Sequence, residues 1–223
     1  ASPDAIKLMS DLAEQSFAGL DAISERRDIW LTRFKRAAQL FLDFELERDP
    51  EIARRVAEAS GIMPLHTSEA FTLTGKADRI DVRKDGTVEI IDFKTGGVPE
   101  PKDMKDFDAP QLLLEAAMVR AGAFEGIDRL PASHLTYIKI GLGPAAFVLK
   151  PFRVRDGFSL NEAADEILRR TQGHVETFLL RDTHAMAARI RPKVTTGRKQ
   201  WPGNYDHLAR TDEWTLTAGV DDP

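Results

Sequence analysis

The sequence predicts an α/β fold in which a β-sheet is flanked by helices, with further helices at both ends of the chain. A strong hairpin signal, Asp85-Gly86, separates two β-rich runs over residues 71–82 and 88–93. Apolar residues at helical spacing predict helices over about 4–20, 27–48, 110–121 and 159–180. Two more β-rich runs, 133–141 and 145–150, lie between the last two helices.

The connections follow from turn and cap residues. Asp49-Pro50 marks a break, and proline suits the first turn of a helix, so a short helix is expected to about residue 60, with a connection over 61–68. Asp108-Ala109-Pro110 opens the helix at 110. The predicted organisation is one domain over 1–223. Its parts are N-terminal helices (1–60), a core sheet and helix (69–150), a C-terminal helix (158–190) and an extended tail (191–223).

The composition limits the function classes. Hydrophobic residues make up 42% and charged residues 30% of the 223 residues, so we expect a packed core. The net charge of −5 argues against gripping nucleic acid by bulk electrostatics, although a local basic channel over an acidic metal site stays possible. The chain has no cysteine, which excludes disulfides, thiol catalysis and iron–sulfur clusters. The absence of a signal-peptide pattern predicts a cytoplasmic location.

Three charged residues stand out on the predicted hairpin. Asp92 and Lys94 are two apart on one strand and therefore share a face, and the partner strand can bring Asp78 close to them. Two neighbouring carboxylates need a counter-charge, and Mg²⁺ prefers carboxylate oxygens with several retained waters. A lysine beside that metal can hold or help deprotonate a water and can offset phosphate charge. This pattern is typical of metal-assisted phosphodiester hydrolysis.

A plainer interpretation stays open at this point. An acid and a lysine are common in solvent-exposed hairpins, and Asp92 could simply end a strand. However, Asp92 and Lys94 lie in or beside the apolar run EIIDFK, where a charge is costly unless it is paired or binds metal.

Three segments together resemble a known family. GKADRID (75–81), IIDFKTG (90–96) and a helix opening QLLLEAA (111–117) resemble the RecB-type branch of the PD-(D/E)XK nuclease superfamily. The segments WLTRFKRAAQLFLDFE and NYDHLARTDEW make the chain most similar to the C-terminal nuclease domain of the AddB family. The resemblance implies a restriction-endonuclease-like core with a central mixed β-sheet. It also implies Mg²⁺- or Mn²⁺-dependent exonuclease activity on broken DNA ends, beside an AddA-type helicase–nuclease subunit in double-strand-break repair.

The resemblance assigns roles to residues that match the family motifs. It implies that Asp78 and Asp92 bind metal, together with the backbone carbonyl of Phe93. It implies that Lys94 is the catalytic lysine and that Gln111 is the glutamine of the QxxxY motif, which supports the site or the DNA.

The same resemblance concerns two further acids and one position at which the chain departs from the family motif. Asp81 is expected to pair with basic residues beside the site, and Glu69 is a candidate auxiliary acid. The tyrosine of QxxxY is Glu115 here, which leaves that part of the motif in doubt.

Two more departures from the family pattern raise an alternative function. The cysteines that hold an iron–sulfur cluster in many AddB proteins are absent, and no histidine precedes His66, although the family has one upstream. We therefore expect the chain to be a fragment of a longer protein, and we expect this fragment to lack one metal ligand. The alternative is a catalytically incomplete nuclease fold that binds DNA or a helicase. A stand-alone nuclease with an RNA or CRISPR-associated substrate is a weaker alternative.

Overall fold

The structure is a computed structural model that describes residues 3–17, 24–141 and 145–181. The chain divides into two compact units, Ala1–Gly173 and His174–Pro223. The predicted tail over 191–223 lies outside the described residues, so it stays a prediction, as does the single domain over 1–223. None of the described helices is long and apolar enough to cross a membrane.

The first unit contains one sheet of five strands in the order β1-β2-β3-β4-β5. The strands are β1 (Ile52–Leu65), β2 (Phe71–Arg83), β3 (Val88–Lys94), β4 (Ala132–Ile140) and β5 (Phe147–Pro151). The described helices are α1 (Pro3–Phe17), α2 (Ser24–Arg48), α3 (Pro101–Lys105), α4 (Gln111–Ala121) and α5 (Leu160–Val175), the last followed by a π-helical turn, Glu176–Leu180. The predicted α/β fold, with a mixed sheet flanked by helices as in restriction-endonuclease-like proteins, is confirmed.

Strand β3 lies at the centre of the sheet. It pairs antiparallel with β2 and parallel with β4, and β4 pairs antiparallel with β5. A parallel pair needs a long crossover, and helices α3 and α4 supply it. Residues 88–92 are all buried because β3 is covered on both faces.

The prediction of a short helix after Pro50 is wrong. A 3₁₀ turn, Asp49–Glu51, leads directly into β1, which continues to Leu65 through most of the predicted connection. The segment IARRVAEA is rich in good helix formers, but pairing with β2, from Ile52 opposite Arg83 to Leu65 opposite Phe71, overrides that weak preference.

Helix α3 was also not predicted, because its segment follows a loop rich in glycine and proline. Its start nevertheless has recognisable signals. Pro101 occupies the first helical turn, and the Glu100 backbone N–H donates a hydrogen bond to Asp103 Oδ2 at 3.3 Å.

Two glycines bring α4 close to the β1–β2 hairpin. Gly61 and Gly75 lie opposite each other in the register. A Cβ atom at Gly61 would lie 2.8 Å from the Phe124 ring and 2.9 Å from Met118 Cε, and one at Gly75 would lie 3.2 Å from Met118 Sδ. The close approach fixes the position of α4 over the sheet.

A buried ion network joins α2 to the hairpin. Arg48 Nη2 lies 2.8 Å from Asp81 Oδ2 and 2.5 Å from Glu89 Oε2. Arg79 binds Asp81 through Nε at 2.7 Å and Glu45 through Nη2 at 2.7 Å. Burial alone would lower the pKa of Arg79, but these hydrogen bonds outweigh it and raise that pKa. Asp81 is therefore a partner of basic residues, as expected.

Candidate active site

The β2–β3 hairpin forms at the predicted turn. Gly86 has a φ of 80°, which glycine adopts without strain. Asp85 Oδ1 accepts hydrogen bonds from the Thr87 backbone N–H at 3.0 Å and from its hydroxyl at 2.7 Å. Because the local turn sets the register, it also decides which side chains of the two strands lie opposite each other.

The register brings Asp78 to the end of β3. The β2–β3 pairing ends with Arg79 opposite Ile91, so Asp78 and Asp92 are the next residues along the two strands. The Phe93 backbone N–H donates a hydrogen bond to Asp78 Oδ2 at 2.8 Å. The structure thus brings together the two carboxylates that the sequence placed on neighbouring strands.

Asp92 and Lys94 form an ion pair on the same face of β3. Lys94 Nζ donates to Asp92 Oδ1 at 2.9 Å and lies 2.8 Å from Oδ2, which accepts no hydrogen bond from the described residues. Asp92 is only 2% exposed, whereas the Lys94 side chain is 32% exposed. A buried aspartate under a partly accessible lysine does not fit a solvated surface pair.

The electrostatics of Asp92 favour a cation. Burial is the largest cause that raises the pKa of Asp92, and the nearby charge of Asp78 raises it further. Hydrogen bonds from Lys94 and Gln111 act in the opposite direction and lower it. Additional positive charge beside Asp78 and Asp92 would therefore stabilise the ionised pair.

Gln111, the first residue of α4, contacts the ion pair of Asp92 and Lys94 through both the nitrogen and the oxygen of its side-chain amide. Its Nε2 donates to Asp92 Oδ1 at 2.7 Å and to Glu115 Oε1 at 3.2 Å. Its Oε1 accepts a hydrogen bond from Lys94 Nζ at 3.2 Å. The side chain thus bridges the carboxylate and the ammonium.

Glu115 stands one helical turn after Gln111, and the spacing of four residues predicts that both share one helix face, as caps or as support for a site. Glu115 is 5% exposed, and no described residue donates a hydrogen bond to its Oε2. Burial is the main reason that the pKa of Glu115 rises to about 7. The hydrogen bond from Gln111 lowers this pKa, whereas the charges of Asp92 and Asp78 raise it further.

Tyr137 is a neighbour of the site that sequence reasoning missed. It lies opposite Asp92 in the parallel β3–β4 register, and Lys94 Nζ is 5.9 Å from the centre of its ring. Burial first, then the charges of Asp92 and Glu115, raise the pKa of Tyr137. No sequence signal identifies the residue, because the parallel pairing is separated from β3 by the whole crossover.

The donor set fits a divalent cation of the Mg²⁺ type. Asp78 and Asp92 offer carboxylate oxygens, and the carbonyl of Phe93, the residue that follows Asp92, is a further hard oxygen donor. Mg²⁺ is usually held by one or two carboxylates, with waters and substrate phosphates completing its octahedron. Within residues 3–17, 24–141 and 145–181, no group of three or more His, Cys, Asp or Glu side chains is arranged to hold a metal.

A cavity of about 350 Å³ opens beside Lys94 and Gln111. It is completed by residues of the crossover and of β4, namely Pro99, Asp103, Asp108, Ala109, Pro110 and Tyr137. A ligand in this cavity would meet the exposed end of Lys94.

Glu69 is not brought to the site. It is exposed in the connection between β1 and β2, nine residues before Asp78. At about 3.3 Å per residue along β2, that separation places it near the far end of the hairpin.

Two carboxylates and a lysine on adjacent strands thus meet a glutamine from the following helix. The chain belongs to the PD-(D/E)XK nuclease superfamily, whose model matches residues 2–207.

Relatives with similar sequences occur in Rickettsia. The uncharacterized protein RT0391 of Rickettsia typhi is 30% identical over 118 residues, which cover 52% of this chain and 14% of that protein. An uncharacterized protein of Rickettsia felis is 32% identical over 97 residues, covering 43% of this chain and 11% of that protein. The match therefore spans only a small part of these relatives. The crystal structure of SSO0001 has a TM-score of 0.36 and 15% identity, covering 72% of this chain and 69% of that one.

Proposed function

We propose that the chain is a divalent-metal-dependent nuclease domain that hydrolyses phosphodiester bonds in DNA. The observation that carries the proposal is the Lys94 ammonium, held between Asp92 and Gln111 at distances of 2.9 and 3.2 Å. Asp78 lies on the adjoining strand, with its Oδ2 2.8 Å from the Phe93 backbone nitrogen. Membership of the superfamily supports nuclease activity in general.

The mechanism assigns each group a separate task. Asp78, Asp92 and the Phe93 carbonyl would hold the cation, which when bound lowers the pKa of a water and polarises the phosphate. Lys94 Nζ faces the cavity and donates a hydrogen bond to a phosphate oxygen, so it offsets the negative charge that develops as the water oxygen attacks phosphorus. Gln111 keeps that nitrogen in place. The attacking water gives up a proton to solvent, the bond from phosphorus to the leaving oxygen breaks, and that oxygen takes up a proton from solvent.

The finer function follows the resemblance to the AddB family. We propose that the substrate is linear DNA with broken ends, which an exonuclease would resect before recombinational repair. The partner would be an AddA-type helicase–nuclease subunit. The hairpin and α4 motifs support this assignment, together with the segment WLTRFKRAAQLFLDFE.

Cleavage of end-labelled linear DNA by the complete gene product tests the proposal. In Mg²⁺ or Mn²⁺, Lys94→Ala is expected to lower kcat by about 100-fold, since the variant loses a preorganised donor at the transition state. Lys76→Ala is the matched control, because Lys76 is an exposed lysine on β2 that pairs with Glu58. Undiminished cleavage by Lys94→Ala would reject the assignment.

A second candidate is a catalytically incomplete nuclease fold that binds DNA or a helicase. It is favoured by the finding that the described residues contain no metal-binding group of three or more acids, histidines or cysteines. This candidate predicts DNA binding without cleavage in either Mg²⁺ or Mn²⁺. Cleavage that depends on Lys94 would exclude it.

A further inference from the structure

We propose that Glu115 is a positioning residue that fixes the side-chain amide of Gln111 and, through it, holds the Lys94 ammonium against Asp92. The inference rests on the proposed nuclease function, because it assigns Glu115 a part in that site. Glu115 stands at the position where the family motif has a tyrosine.

The geometry of the Gln111 amide carries the inference. Its Nε2 donates to two carboxylate oxygens, Asp92 Oδ1 at 2.7 Å and Glu115 Oε1 at 3.2 Å. Rotating the amide by half a turn would place its carbonyl oxygen against both carboxylates and its NH₂ group against the Lys94 ammonium. Only the observed orientation satisfies every hydrogen bond. Three hydrogen bonds select this orientation, namely those to Asp92 and Glu115 and the one from Lys94, and without Glu115 one of the three is lost.

The burial of Glu115 indicates that the contact is more than a surface pair. A carboxylate on an exposed helix face is solvated and contributes little, but Glu115 is 5% exposed on a helix whose neighbouring residues Ala116 and Ala117 are also buried. Its Oε2 receives no hydrogen bond from the described residues. A glutamate in such a position lowers the stability of the fold, which is typical of residues retained for a site.

Gln111 then transmits this constraint to the reacting group. Its Oε1 accepts a hydrogen bond from Lys94 Nζ at 3.2 Å, and Nζ is also bound to Asp92 Oδ1 at 2.9 Å. Two acceptors therefore fix the position of a long and otherwise mobile side chain. A Gln111 amide that is held by fewer hydrogen bonds would present Oε1 to Nζ for less of the time, and the ammonium would occupy the catalytic position for less of the time.

The test compares substitutions that keep or remove the acceptor. Glu115→Gln retains an oxygen that can accept from Gln111 Nε2, whereas Glu115→Met of similar length cannot. In DNA cleavage by the complete gene product, we expect Glu115→Met to lower kcat about tenfold with little change in KM, and Glu115→Gln to restore most of the loss. In a Gln111→Met background, Glu115→Met should cause no further loss, because the two residues act as one unit.

A second measurement does not depend on cleavage. The Gln111 side-chain amide protons, identified by their disappearance from the NMR spectrum of Gln111→Met, should exchange slowly with solvent in the wild type and in Glu115→Gln. In Glu115→Met they should exchange at least about tenfold faster, since one hydrogen bond is gone.

The outcomes separate this inference from the proposed function. Unchanged amide exchange in Glu115→Met would overturn the positioning role, and so would losses of kcat that add in the double variant. If the wild type does not cleave DNA, the nuclease function fails, while the amide exchange still decides whether Glu115 holds Gln111.

Discussion

Among single residues, Asp92 combines two properties that rarely occur together without a functional reason. It is almost fully buried, and it accepts hydrogen bonds from both Lys94 and Gln111. Such a carboxylate is stabilised only by its partners, because burial raises its pKa. The site therefore depends on a few direct contacts and is sensitive to the loss of any one of them.

Glu115 gives a stability prediction at the same scale. Its pKa rises from 4.5 in the unfolded chain to about 7 in the fold. A carboxyl with a raised folded-state pKa favours folding below the unfolded pKa, and that contribution is lost as the pH rises through the folded pKa. Relative to Glu115→Gln, the wild type should lose on the order of 3 kcal/mol of unfolding free energy between pH 4.5 and pH 7.

Urea unfolding of both proteins at pH 5 and pH 8, with a chelator present, measures this difference. Glu115→Gln should be the more stable protein at pH 8, and its advantage should shrink at pH 5. An advantage that does not change with pH would contradict the raised pKa.

At the scale of secondary-structure elements, the contact between α4 and the β1–β2 hairpin holds Gln111 over the strands. A methyl group at Gly61 would lie 2.8 Å from the Phe124 ring and 2.9 Å from Met118 Cε. Gly61→Ala should therefore lower the unfolding free energy by about 1–3 kcal/mol through overpacking. Thermal or chemical unfolding measures the effect, with Gly97→Ala as control because nothing lies within 4 Å of a Cβ there. Equal stability of the two variants would show that α4 packs less closely than described.

The ion network between α2 and the hairpin is the second element-scale contact. Asp81 is fully buried between Arg48 and Arg79, so Asp81→Asn leaves the buried Arg79 and the half-buried Arg48 with fewer anionic partners. Removing one member of such a network should lower the unfolding free energy by about 3 kcal/mol. Asp156→Asn is the control, since its pair with Lys105 is on the surface. A loss no larger than the control's would contradict a stabilising role for the network.

The same elements explain what the sequence could predict. Asp78, Asp92 and Lys94 lie on one hairpin whose register is set by Asp85-Gly86, so local rules were sufficient to place them together. The edge strand β1 was missed because its residues favour a helix by themselves and form a strand only because they pair with β2. Tyr137 was missed for a related reason, since its position opposite Asp92 depends on a parallel pairing across the crossover.

At the scale of the whole molecule, the net charge of −5 opposes the approach of DNA phosphates. A cation bound by Asp78 and Asp92 would reduce that repulsion where the scissile phosphate must lie. Binding of labelled DNA should therefore be about tenfold tighter in Ca²⁺ than in a chelator at equal ionic strength, and Asp92→Asn should lose the difference. Fluorescence anisotropy measures both affinities. Equal affinity with and without Ca²⁺ would show that DNA binds elsewhere on the protein.

Calorimetric titration of the complete gene product with Mn²⁺ tests most directly whether Asp78 and Asp92 hold a divalent cation beside Lys94. We expect saturable binding heat in the wild type and in the surface control Asp156→Asn, and its loss in Asp92→Asn, because the amide cannot replace the carboxylate charge. Binding that persists unchanged in Asp92→Asn, or no binding in the wild type, would contradict the assignment of this site as a metal-dependent nuclease centre.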